Sequence, residues 1–167
     1  WNIDSAIHSF MSMNVDGEEE GTGILNVVAD NEGIESDLHL TFNGGNVNIE
    51  SQDDGVNSNE DGVSVTTVNG GSLHILAGLG SEGDGIDSNG YLVVNGGTVI
   101  AMANPASDSG LDSDMGSYIN GGTVVALGST MDWAESDSDQ VTMNLQFASA
   151  QDAGDAIVVT DEDGAVV

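Results

Sequence analysis

The chain has 167 residues, with 29 Asp plus Glu, three His, no Lys and no Arg, for a formal net charge of −29. Nothing in it can neutralise phosphate, so nucleic-acid binding is excluded, as is attraction to an anionic membrane surface. Mechanisms needing an Arg or Lys clamp, base or Schiff-base amine are excluded too, and the absence of Cys removes thiol and disulfide chemistry.

The length fits one ordinary domain. No run approaches the roughly 18 apolar residues of a membrane span, so membrane insertion is not expected. Trp1, standing where a Met would begin a chain, reads as the start of a processed product or a fragment. A compact state with this self-repulsion needs a countercharge, either from high salt or from bound cations. Ca2+ is the natural cation, because carboxylate and amide oxygens are its ligands.

In chain order, the first recognisable unit is Asp4-Ser5-Ala6-Ile7-His8-Ser9. Glu18-Glu19-Glu20 follows and reads as a solvated loop. A clearer form of the first unit then appears as Asn31-Glu32-Gly33-Ile34-Glu35-Ser36-Asp37. It returns as Asp53-Asp54-Gly55-Val56-Asn57-Ser58-Asn59, as Gly83-Asp84-Gly85-Ile86-Asp87-Ser88-Asn89, and as Asp108-Ser109-Gly110-Leu111-Asp112-Ser113-Asp114. A second motif, Asn-Gly-Gly-x-aliphatic, starts at Asn43, Asn69, Asn95 and Asn120, spacings of 26, 26 and 25 residues. In the second copy the two motifs stand four residues further apart, which places an insertion near Asn59 to Gly62.

Around each Asn-Gly-Gly the residues alternate. Leu40 and Phe42, Thr66 and Val68, Leu92 and Val94, and Ser117 and Ile119 precede it; Val47 and Ile49, Leu73 and Ile75, Val99 and Ala101, and Val124 and Ala126 follow it. A period of two marks half-buried strands. Each repeat therefore holds about three short strands, which is one coil of a parallel β-helix. The Asn-Gly-Gly supplies a positive-φ corner. The expected fold is all-β: a right-handed parallel β-helix of about five coils over residues 1–130, with a C-terminal β-strand cap over 131–167 in the same domain. In this register Ile7, Ile34, Val56, Ile86 and Leu111 form one buried ladder, with Ser9, Ser36, Ser58, Ser88 and Ser113 beside it.

The same register aligns acids. His8, Glu35, Asn57, Asp87 and Asp112 face outward, followed by Asp37, Asn59, Asn89 and Asp114, while Glu32, Asp53, Asp54, Asp84 and Asp108 line the mouth of the motif. Coils about 4.8 Å apart suit a cation bound between stacked oxygens at about 2.3–2.6 Å. The expected Ca2+ ligands are Glu32, Glu35, Asp37, Asp53, Asp54, Asn57, Asp84, Asp87, Asp108, Asp112 and Asp114. An acidic turn is often no more than a solvated turn; recurrence in register across four coils favours metal. The tail acids Glu135, Asp137 and Asp139 fit either reading.

His39 and His74 fall on outward strand faces and read as surface residues. No Gly-x-Ser-x-Gly elbow occurs, and carboxylates repeated on every coil resemble a lattice more than one tuned acid–base pair, so no enzyme is expected. Tyr91 and Tyr118, outward on adjacent coils, are candidate sugar-stacking residues. Trp133 is a third candidate or a cap on the core.

The stretch GDGIDSNGYLVVNGGTVIA, followed by SGLDSDMGSYINGGTVVALG, resembles the calcium-binding, carbohydrate-binding β-helix domains of cellulolytic clostridia and related bacteria. The resemblance covers about residues 4 to 129, and the tail from Ala156 to Val167 is similar to that family's closing strands. It implies a pectate-lyase-like fold without lyase activity, bound Ca2+, an extracellular or cell-surface location and adhesion to plant polysaccharide. The expected partner is a cellulose- or pectin-like glycan. The alternative is a structural subunit that self-assembles into a calcium-dependent homo-polymer by end-to-end stacking or strand exchange.

Overall fold

The computed structural model describes residues 4–16, 23–129, 132–152 and 154–166. Trp1 and the Glu18-Glu19-Glu20 loop lie outside the described residues. Fifteen strands are formed among those described: β1 (Ser5–Ser9), β2 (Ser12–Val15), β3 (Ile24–Ala29), β4 (Glu32–Ser36), β5 (His39–Phe42), β6 (Asn46–Ser51), β7 (Val56–Ser58), β8 (Val65–Val68), β9 (Ser72–Leu76), β10 (Ile86–Ser88), β11 (Tyr91–Val94), β12 (Thr98–Met102), β13 (Leu111–Ser113), β14 (Gly116–Ile119) and β15 (Thr123–Leu127). No helix is present among them.

Successive strands pass through three sheets in turn. The first sheet runs β1-β4-β7-β10-β13, the second β2-β5-β8-β11-β14 and the third β3-β6-β9-β12-β15. Every pairing is parallel. The result is a parallel β-solenoid, five strands deep in each sheet, with about four complete turns from β1 to β13.

The register follows the repeat. Ile7, Ile34, Val56, Ile86 and Leu111 pair in sequence, and so do the five serines two positions later. Ile34, Val56 and Ile86 are wholly buried, and they meet Leu40, Phe42, Leu73, Ile75, Leu92, Val94 and Val99 from the other two sheets. The buried hydroxyls are satisfied rather than orphaned. Ser58 and Ser88 share a hydrogen bond of 2.9 Å, Thr66 donates to Ser58 at 3.0 Å, and Ser113 bonds Ser117 at 2.9 Å. Inward Thr66 and Ser117 thus cost the core little, because each buried hydroxyl has a partner.

Two glycine positions explain why the motifs keep that residue. The second glycine of each Asn-Gly-Gly has φ of 78° to 85° at Gly45, Gly71, Gly97 and Gly122, where a side chain is strained. The glycine of the acidic motif is needed for close approach. A Cβ at Gly55 would stand 2.7 Å from the Gly85 carbonyl of the next coil, and Gly33 and Gly85 meet the carbonyls of Gly55 and Gly110 still more closely. Beside the corners, Asn43, Asn69, Asn95 and Asn120 form an amide ladder, each Nδ2 donating to the preceding Oδ1 at 2.9, 2.9 and 3.1 Å. The expected insertion is a turn at Asp61–Val63, with Gly62 at φ 67°.

The tail differs from expectation. Residues 132–140 return along the last coil, where Ala134 bridges Ser117 in parallel, Gln140 N–H donates to the Ile119 carbonyl and Ala134 packs on the core. Beyond that, no closing strands form among the described residues. Val141, Met143, Leu145 and Phe147 alternate like a strand but have no strand neighbour, and Val141 is 96% exposed. A lone antiparallel bridge, Thr160 to Val166, closes the turn at Asp161–Gly164. The alternation gives strand propensity, and propensity without a hydrogen-bonding edge does not make a strand.

Candidate functional site

On the first sheet, stacking brings two columns of polar side chains together. His8, Glu35, Asn57, Asp87 and Asp112 pair across successive strands. Ser5, Glu32, Asp54, Asp84 and Ser109, each just before its coil's glycine or the equivalent position, form the second column. A spacing of three residues across a tight strand entry lets the columns converge. Asn57 Nδ2 donates to Glu32 Oε1 and to Asp54 Oδ2, both at 3.2 Å. Asp54 Oδ1 accepts the Asp84 N–H at 2.7 Å, Asp84 Oδ1 accepts the Ser109 N–H at 2.5 Å, and Asp108 Oδ2 accepts the Gly83 N–H at 2.9 Å. Carboxylates therefore staple each coil to a neighbour while facing one another along the seam.

The electrostatic consequence is severe. Burial first, then the charges of Glu35 and Asp54, push Glu32 up to about 7. Burial, with Asp87, Asp53 and Asp84 nearby, raises Asp54 to about 8 against the opposing effect of the Asp84 N–H. Burial and neighbouring acids lift Asp84 to about 6 and Asp87 to about 7, and raise Asp112 in the same direction. Glu35 goes the other way: burial raises it, but hydrogen bonds from Ser5, His8 and Asn59 outweigh that and hold it below its ordinary value. His8 stands between the two acids, its Nδ1 lying 2.7 Å from Glu35 Oε2 and its Nε2 3.5 Å from Asp37 Oδ1.

The donor set fits a hard divalent cation. Glu32 Oε2 and Asn57 Oδ1 are buried without a hydrogen-bond partner, and Asn57 is only 9% exposed. Both are oxygens, and both sit among carboxylates whose ionised forms are disfavoured by burial and mutual repulsion. One oxygen-loving cation would answer all three conditions. At one end of the seam, ligand atoms of His8, Glu35 and Asp37 lie within 4.8 Å of one another.

The expected ligands do not all gather equally. Glu32, Glu35, Asp54, Asn57, Asp84, Asp87 and Asp112 share the seam. Asp53 and Asp108 stand at its margin, Asp37 is partly exposed, and Asp114 is exposed. Asp132 was not anticipated. It comes from the tail, its Oδ2 accepts the Ser113 N–H at 2.9 Å, and its charge acts on Asp84 and Asp112. No repeat marks it, so periodicity had no means of finding it.

The second sheet presents a different surface. Its outward residues on β2, β5, β8, β11 and β14 are Ser12, His39, Val65 and Tyr91 with Gly116 in one row, and Asn14, Thr41, Thr67, Val93 and Tyr118 in the next. In a chain of charge −29, none of these ten is acidic. Tyr91 and Tyr118 lie with ring centroids 6.2 Å apart at a 46° tilt. Trp133 is 74% exposed, so it does not cap the core; its neighbour Ala134 does the packing. The bridge from Ala134 to Ser117 puts Trp133 beside Gly116 in the backbone register, in line with Tyr91. The three aromatic candidates thus belong to one end of one face. His39 and His74 are exposed, as expected.

No curated protein and no solved structure matches the chain. A family profile described as carbohydrate-binding domain-containing protein matches residues 2–166, in keeping with the clostridial resemblance of the repeats. That match spans nearly the whole chain, the solenoid and its tail together, and the protein belongs to this carbohydrate-binding domain family.

Proposed function

We propose that the protein is a calcium-stabilised, non-catalytic polysaccharide-binding protein that works outside the cell, holding glycan against the aromatic end of the second sheet. The observation that carries this reading is the grouping of Tyr91, Tyr118 and Trp133 at one end of the sheet whose outward strand residues carry no acid, in a highly acidic chain from a carbohydrate-binding family. Aromatic rings stack on the C–H faces of pyranoses while hydroxyls hydrogen-bond at the ring edges.

Calcium would be held along the seam by Glu32, Glu35, Asp54, Asn57, Asp84, Asp87 and Asp112, with Asp37, Asp53, Asp108 and Asp114 at its margin. When bound, the ion supplies the countercharge that the sequence lacks. Asn57 offers it a neutral carbonyl oxygen, and the backbone staples hold the carboxylates in place. The raised carboxyls form a continuous lattice along the seam rather than an isolated pair facing a cleft, which supports a binding role. A cellulose- or pectin-like chain is the ligand class in view.

The test is affinity electrophoresis through gels containing β-glucan or pectin, with Ca2+ and with chelator. Retardation in Ca2+, reduced by Tyr91→Ala and by Trp133→Ala, supports the reading. Unretarded migration of the folded, calcium-loaded protein in every polysaccharide removes it.

A further inference from the structure

The aromatic end of the second sheet contains a gap and a carboxylate that fills it. Ala134 bridges Ser117, and the Glu135 N–H donates to the Ser117 carbonyl at 2.8 Å, so residues 133–135 extend the sheet by one short rung. On that rung Ala134 turns inward onto the core, while Trp133 and Glu135 are exposed. In register, Trp133 lies beside Gly116 and Glu135 beside Tyr118.

Gly116 leaves the row from Tyr91 to Trp133 without a side chain in the middle. Its φ is 127°, and a Cβ there would stand 2.9 Å from Glu135 Oε1 and 3.2 Å from Glu135 Cδ. The Glu135 side chain therefore folds back over the gap. Desolvation and then the charges of Asp137 and Glu135 push the Tyr118 hydroxyl upward. Among the described residues the Glu135 carboxylate accepts no hydrogen bond, and the chain has no Lys or Arg to pair with it.

We infer that Glu135, set in the Gly116 gap among Tyr91, Tyr118 and Trp133, is a hydroxyl acceptor that makes this face selective for a neutral pyranose chain over a uronic one. The inference rests on the polysaccharide-binding reading above and narrows it. A sugar lying on the rings brings hydroxyl edges to the Glu135 side chain over the gap. Hydrogen bonds to an ionised acceptor are about twice as strong as neutral ones. A uronic carboxylate in the same place meets Glu135 and Asp137 as like charges. The row from Tyr91 through Gly116 to Trp133 crosses two coil rises, about 10 Å, parallel to the solenoid axis. The bound chain therefore runs along that axis rather than across it.

The experiment is calorimetric titration of the whole calcium-loaded chain with a β-1,4-linked glucose hexamer and with a galacturonic acid hexamer. The expected result is at least 10-fold tighter binding of the glucose hexamer. Glu135→Gln should weaken that binding about 5–10-fold and narrow the gap between the two sugars, and Glu135→Asp, which shortens the reach into the gap, should also weaken it. Melting curves in Ca2+ show that both variants fold. Equal or tighter binding of the uronic hexamer overturns the inference. So does unchanged glucose affinity in Glu135→Gln when Tyr91→Ala and Trp133→Ala still lose binding, a result that spares the aromatic face. Failure of the wild-type chain to bind either hexamer overturns the polysaccharide reading together with the inference.

Discussion

Replacing Asp54 by Asn separates the two roles of the seam. Asp54 is held at about 8 in the fold, against an ordinary 3.8. The folded state therefore favours the protonated carboxyl. Its stabilising contribution is complete below about pH 4 and is lost as pH rises through about 8. Each tenfold shift in the equilibrium corresponds to about 1.4 kcal/mol, so ionising Asp54 above pH 8 without metal costs at most about 6 kcal/mol. Water entry and its coupling to Asp53, Asp84 and Asp87 reduce this. Asn at the same place keeps an oxygen for the Asp84 N–H and carries no charge. In chelator at pH 8, Asp54→Asn should therefore stabilise the protein by about 1–3 kcal/mol, a rise in Tm of about 3–10 °C. At pH 4.5 the gain should vanish. With Ca2+ the order should reverse, because a site filled at 100 times its Kd contributes about 2.7 kcal/mol, and the variant has lost a charged ligand. Thermal melting by circular dichroism at the two pH values, with Ca2+ and with chelator, reads all four conditions. A variant that is less stable than wild type in chelator at pH 8 would refute the argument that repulsion on the seam is uncompensated without a cation.

Three further outcomes follow from the packing. Gly55→Ala should cost about 3 kcal/mol or more in chemical denaturation, because its Cβ would stand 2.7 Å from the Gly85 carbonyl and closer still to Ile75 Cγ2; a cost under 1 kcal/mol would mean that adjacent coils move apart easily. Asn95→Ala interrupts the amide ladder at two hydrogen bonds, to Asn69 and from Asn120, and should cost about 1–2 kcal/mol, the exposed setting keeping the value low. Deleting residues 141–166, whose described residues are all exposed and add nothing to the core cluster, should leave the Tm within about 2 °C of wild type, whereas extending the deletion back to residue 132 removes Ala134 from the core and Asp132 from Ser113 and should lower it clearly.

The solenoid was legible because its architecture is written in a repeat. In-register parallel stacking gives equivalent positions in successive coils the same surroundings, so residues 25 or so apart are held to the same type. That is why Ile34, Val56, Ile86 and Leu111 align in the sequence itself, and why the four-residue insertion there corresponds to the turn near Gly62. The same reasoning placed Glu35, Asn57, Asp87 and Asp112 in one column and Tyr91 and Tyr118 on one face. The closing strands that the family resemblance implied for the tail do not form among the described residues, where Val141, Met143, Leu145 and Phe147 lie unpaired.

The amino-acid order by itself determined the coil, its register and the alignment of acids, since each follows from local alternation repeated at a nearly constant interval. Tertiary structure alone decided which oxygens meet. Convergence of Asn57 on Glu32 and Asp54, the pairing of His8 with Glu35, and the return of 132–135 to bring Asp132 to Ser113 and Glu135 over Gly116 depend on side-chain directions and on a non-repeating segment. A segment that occurs once has no internal copy to compare it with, and its place is set by long-range packing that no periodicity records.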